Sequence, residues 1–84
     1  EVYVHDPLAN PEQALHEYGI VLRDWHQLPQ NADAIVATVP HIEYTIQPVA
    51  KLLTPLKHGG VFVDIKSSYI PEAIAATGAC LWRL

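Results

Sequence analysis

The sequence has a single cysteine, no methionine, one phenylalanine and only five lysines and arginines among its 84 residues. With Cys80 alone no internal disulfide can form, so the fold must rest on packing, and a reducing compartment is compatible with it. The shortage of basic residues, at a net charge of −4, removes the electrostatic footprint of a nucleic-acid binder. No apolar run approaches the ~20 residues that a membrane helix needs, and no charged-then-apolar leader opens the sequence. Neither nucleic acid nor membrane is therefore expected as a partner, and the expected compartment is the cytoplasm.

What is present suits a small globular domain. Half of the residues are hydrophobic and 17% are charged, which is too apolar for a disordered chain. A chain of this length buries only ~60–65% of the surface that its unfolded form exposes, so one core of modest stability is expected, spanning residues 1–84 as one domain. No repeat, linker or low-complexity run divides it. The sequence opens on the strand-like Glu1–Val4 and stops on Leu81-Trp82-Arg83-Leu84, which suggests a piece of a longer protein.

Val2–His5 is β-branched and aromatic and meets Asp6-Pro7, so it reads as a strand followed by a loop. Asn10-Pro11-Glu12 opens a helix with apolar Ala14, Leu15 and Tyr18, and Gly19 closes it. Ile20–Leu22 is a short strand candidate, and Asp24–Leu28 reads as one helical turn. Asp33–Val39 is an unbroken apolar run, the pattern of a central parallel strand covered by helices on both faces. Pro48 splits the next apolar segment into a turn near His41–Thr45 and a helix from Pro48 to about Leu53. Gly59-Gly60 marks a turn, Val61–Ile65 a buried strand, Ile70–Thr77 a helix with Pro71 at its start, and Ala79–Leu84 the last strand. This alternation predicts an α/β, Rossmann-like three-layer sandwich with a mostly parallel sheet.

Ligands of open α/β sheets collect beyond the carboxyl ends of the strands, which singles out Asp6, His41, Glu43 and Lys66. Asp6 stands where a dinucleotide-binding unit keeps an acid for ribose hydroxyls, although no G-x-G-x-x-G precedes it, and Asp-Pro is equally a turn former. His41 and Glu43 offer polar contacts to a ligand or form a solvated helix start. Asp64-Ile65-Lys66-Ser67-Ser68 sends a cation and two hydroxyls to the same edge, where Lys66 can hold phosphate or sugar oxygens and the serines can cap the next helix. The five histidines have no metal-ligand spacing, so no metal site is expected. Cys80, without a base beside it, reads as a small core hydrophobe, and Trp25 and Trp82 as packing residues or half-exposed anchors.

The ordered series Val4-His5-Asp6-Pro7, Asp33-Ala34-Ile35-Val36, Val39-Pro40-His41-Ile42-Glu43-Tyr44, Gly59-Gly60-Val61-Phe62-Val63-Asp64-Ile65-Lys66-Ser67 and Leu81-Trp82-Arg83-Leu84 resembles the carboxyl-terminal domain of the UDP-glucose/GDP-mannose dehydrogenase family. Within it, the series is most similar to the UDP-N-acetylglucosamine and galactosamine 6-dehydrogenases of capsule, Vi-type and O-antigen polysaccharide synthesis. The resemblance implies a homodimeric parent enzyme that oxidises a sugar C6 alcohol to a carboxylate in two NAD-dependent steps, through a cysteine-bound thiohemiacetal and thioester. The nucleophilic cysteine and the Gly-rich NAD loop would belong to portions of that parent outside these 84 residues, so this piece alone would be inactive. Asp64-Ile65-Lys66 matches the family's Asp-x-Lys form, in which the cation reaches the UDP-sugar. Lys66 thus becomes the foremost substrate-binding candidate, with Asp6 and His41 at the cleft rim.

The resemblance also implies that the first strand and helix of the family domain are lacking. That strand would separate Val2–His5 from Asp33–Val39, so the sheet is expected to close the gap or to pair with a neighbouring chain. A non-enzymatic α/β interaction module and the Rossmann unit of another NAD enzyme are the alternative readings.

Overall fold

The computed structural model describes residues 1–84 and confirms the α/β class. In chain order its elements are helix α1 (Pro11–Tyr18), a single 3-10 turn (Trp25–Gln27), strand β1 (Ala32–Ala37), short helices α2 (Ile42–Thr45) and α3 (Val49–Leu52), strand β2 (Leu56–Asp64), helix α4 (Pro71–Ala76) and strand β3 (Cys80–Arg83). The three strands form one all-parallel sheet in the order β1-β2-β3.

Local signals set the helix limits. The Asn10 side chain accepts from the Gln13 amide at 3.0 Å, Pro11 occupies the first turn, and Gly19 at φ 67° closes α1 with a left-handed cap. Pro48 and Pro71 begin α3 and α4 at the positions where a missing amide donor costs least. The 3-10 turn is fastened by the Gln27 side chain, which accepts from the Asp24 amide at 2.8 Å.

Strand β2 begins earlier than Val61. Gly59-Gly60 is a bulge inside the strand, because Ala32 pairs with Leu56 and Ala34 already pairs with Val61. Gly59 takes φ 77°, and a Cβ at Gly60 would stand 2.6 Å from the Leu56 side chain and 3.0 Å from the Asp33 carbonyl oxygen. The two glycines that punctuate the sequence therefore let β2 fold closely past β1 instead of ending there.

The register places Ile35, Phe62 and Leu81 side by side on one face of the sheet. Phe62 is fully buried against Leu52, Leu53 and Ile74, and Ile35, Ala37, Tyr44, Val49, Tyr69 and Leu81 pack around this core. Phe62 and Tyr69 meet edge to face at 5.4 Å. Residues from α3 and α4 supply Leu52 and Ile74, so both helices cover this face.

The opposite face differs from the expected three-layer arrangement. Its cross-strand rows, Ala34–Val61–Cys80 and Val36–Val63–Trp82, have no helix over them, and Val36 and Trp82 are each 56% exposed. Cys80 is accordingly exposed and not a core hydrophobe. Strand alternation put its side chain on the uncovered side while its neighbour Leu81 turned inward.

Val2–His5 also departs from the expected strand. It is reduced to one parallel bridge, Val4 with Leu22, and neither residue pairs with β1. The sheet therefore does not close the gap. No backbone hydrogen bond joins residues 1–31 to residues 32–84; side chains alone make that connection. A strand needs a neighbour to satisfy its amides and carbonyls, and an extended segment without one forms no ladder, whatever its β propensity. No helix is long and apolar enough to cross a membrane.

Candidate functional site at the carboxyl edge of the sheet

Asp6 and His41 are brought together by the connection between the two parts of the chain. Asp6 follows His5, and its Oδ1 accepts from the Leu8 and Ala9 amides at 2.9 and 3.1 Å, which fixes the carboxyl group in a turn. The same oxygen lies 3.4 Å from Nε2 of His41, at the start of α2. The turn reading of Asp6 holds, and the same carboxylate also stands beside His41. Glu43, in the first turn of α2, is exposed and reaches neither of them.

Tyr44 is the residue that sequence reasoning left without a role. It stands three positions after His41 on α2, and its hydroxyl lies 2.6 Å from His5 Nδ1 while donating to the His5 carbonyl at 3.1 Å. Burial, reinforced by the negative charge of Asp6, pushes the Tyr44 phenol up to about 12, which keeps it a donor at neutral pH. Trp25 completes the cluster, edge-on to His5 at 5.3 Å. His5, Trp25, Tyr44, Gln47, Lys51 and Glu43 line a cleft of about 240 Å³. The helical i, i+3 spacing of His41 and Tyr44 was the available signal, but the long-range partner His5 was not legible.

Lys66 stands apart from this pair. It follows β2, is exposed, and makes no hydrogen bond or ion pair with Asp6 or His41. What holds its loop is Asp64, buried at 1% exposure, whose two carboxyl oxygens accept from the Ser68 and Tyr69 amides at 3.0 Å each. Ser67 adopts φ 51°, and its hydroxyl donates to the Leu84 carbonyl at 3.3 Å, tying the Lys66 loop against the end of β3. The serines therefore brace the loop, and Ser68 uses its backbone and not its hydroxyl. Arg83, in register with Asp64, brings a second exposed cation to this part of the edge.

No three His, Cys, Asp or Glu side chains stand close enough together to hold a metal ion. The residues present also do not fit NAD. The four glycines form no Gly-rich turn between a strand and a helix, the feature that cradles a dinucleotide's pyrophosphate. A larger cavity of about 470 Å³ lies at the amino edge between α3 and α4, lined by residues such as Leu53, Leu56, His58 and Ala76, remote from all the candidate residues. No known protein family, curated protein or solved structure matches this chain.

Proposed function

We propose that residues 1–84 are the nucleotide-sugar-binding part of an NAD-dependent UDP-sugar 6-dehydrogenase, serving polysaccharide precursor synthesis in the cytoplasm. The observation that carries this reading is that Lys66, on a loop anchored by the buried Asp64, and Arg83, in register with Asp64 on β3, both stand at the carboxyl edge of a parallel sheet. Two cations at one edge of the sheet, one of them on a braced loop, suit a diphosphate, and the carboxyl edge is where open α/β sheets take their ligands. The ordered motifs of the dehydrogenase family add the identity of the ligand. His41 and Asp6 would meet its hydroxyls at the other end of the edge.

On this reading the chain binds and orients, and it does no chemistry. Its one thiol, Cys80, lies on the bare sheet face away from Asp6, His41 and Lys66 and has no base hydrogen-bonded to it, so it lacks what an activated nucleophile requires. The NAD and the reactive cysteine would be supplied by other parts of the parent enzyme.

Calorimetric titration of the chain with UDP and with UDP-N-acetylglucosamine tests the proposal, with adenosine monophosphate as control. Millimolar or tighter binding of the uridine ligands, weakened about tenfold by Lys66→Ala, is the expected result. Equal binding of all three ligands, or none, refutes it.

A further inference from the structure

The cleft of about 240 Å³ lies on the seam of the molecule. His5 and Trp25 reach it from residues 1–31, and Glu43, Gln47, Lys51 and Leu52 from residues 32–84. Binding pockets form preferentially where separately built parts meet, and these two parts are joined by side chains alone.

Its walls are fixed while its polar groups are unspent. Tyr44 commits its hydroxyl to His5, and the His5 and Trp25 rings then stand edge to face at 5.3 Å, with the buried Leu52 adding an aliphatic wall. The Trp25 indole N–H, the Gln47 amide group, the Glu43 carboxylate and the Lys51 ammonium have no hydrogen-bond or ion-pair partner within the chain. Glu43 and Lys51 therefore bring opposite charges to one cleft without neutralising each other.

That lining selects among ligands. An anion alone would meet Lys51 but be repelled by Glu43, and a cation alone the reverse, whereas a molecule with both signs answers both. Glu43 accepts only, which calls for an ammonium that still carries N–H donors. The Trp25 ring and Leu52 call for an apolar group on the same molecule. The volume lies below the range of roughly 300–1,000 Å³ that takes drug-sized ligands, so the occupant is small. We infer that the cleft binds a free α-amino acid with an aromatic or aliphatic side chain, its ammonium on Glu43 and its carboxylate on Lys51, and that the ligand clamps residues 1–31 onto residues 32–84. A ligand held from both sides of the seam binds only the docked form, so binding and docking reinforce each other. Lys66, Arg83, Asp6 and His41 do not line this cleft, and the inference stands independently of the nucleotide sugar.

Nuclear magnetic resonance titration of the 84-residue chain with L-phenylalanine tests it, read at the Trp25 indole N–H, which Trp82→Phe identifies as the signal that remains. The expected result is a saturable shift with a Kd of about 1 mM or below. Phenethylamine, which lacks the carboxylate, and phenylpropionate, which lacks the ammonium, should each bind about tenfold more weakly. Glu43→Gln and Lys51→Met, both at exposed positions, should each weaken L-phenylalanine about tenfold with the circular dichroism unchanged. Proteolysis at residues 28–31, which link the two parts, should slow about tenfold when the amino acid stands at about ten times its Kd. No shift up to about 20 mM overturns the inference. So does equal binding of either analogue to the unaltered chain, or binding that leaves cleavage at 28–31 unchanged.

Discussion

Replacing Asp64 by alanine should cost the chain about 3 kcal/mol of stability, since each of its two hydrogen bonds to backbone amides contributes roughly 1.5 kcal/mol or more. Asp64 is 1% exposed, so water cannot enter freely to replace the lost acceptors, and the Ser68 and Tyr69 amides are left short of partners. An 84-residue domain has roughly 4–12 kcal/mol in total, which makes this loss a large fraction of it. Urea unfolding at one fixed protein concentration, followed by circular dichroism, measures the difference as a shift in midpoint at constant slope. Asp64→Asn should lose about half as much, because its carbonyl oxygen can serve one amide while its NH₂ opposes the other. The loop that carries Lys66 should loosen in step, seen as faster hydrogen exchange at the Ser68 and Tyr69 amides. If Asp64→Ala unfolds within 0.5 kcal/mol of the unaltered chain, Asp64 does not anchor the loop and the account of Lys66 falls with it.

Ile74→Ala removes a fully buried side chain from beneath α4 and should cost about 2–5 kcal/mol in the same urea experiment, whereas Ile70→Ala, at an exposed position, should cost little. Tyr44 is the group whose titration departs most. Its folded-state value is raised to about 12, so the folded chain holds a proton that the unfolded chain releases near pH 10. Its contribution to stability is therefore complete below pH 10 and is lost as the pH climbs from 10 towards 12, and tyrosinate absorbance should show Tyr44 ionising last, after Tyr3 and Tyr69, which are also raised. Tyr44→Phe should leave the β1–β3 sheet folded but speed proteolysis within residues 1–31, because the Tyr44 hydroxyl carries the two hydrogen bonds that tie that segment to the rest.

The parts of this fold that were legible in the sequence are those decided locally. Asn10, Pro11 and Gly19 delimit α1 because capping and left-handed geometry depend on neighbouring residues alone. Val61–Asp64 and Ala34–Ala37 were recognisable as strands because a long apolar run satisfies either face of a sheet. The parts that depend on distant partners were not. Val2–His5 has the composition of a strand, and its fate turned on whether another strand lay beside it, which no local pattern encodes. Lys66 was found because it follows a strand; Tyr44 was passed over because its hydrogen-bond partner, His5, lies 39 positions away.

Cys80 joins these strands of the argument. Composition made it a core residue, since an unpaired cysteine behaves as a small hydrophobe, and the neighbouring residues Ala79 and Leu81 do pack against the core. The strand's alternation then assigned it to the face without helices, where it is exposed. The sequence pattern of β1, β2 and β3 asks for cover on both sides, and α3 and α4 supply it on one. An apolar pattern therefore states that a surface is to be buried without stating by what. Here the row that holds Cys80 is left without a helix over it, and the thiol that was expected to be silent in the core stands open to solvent.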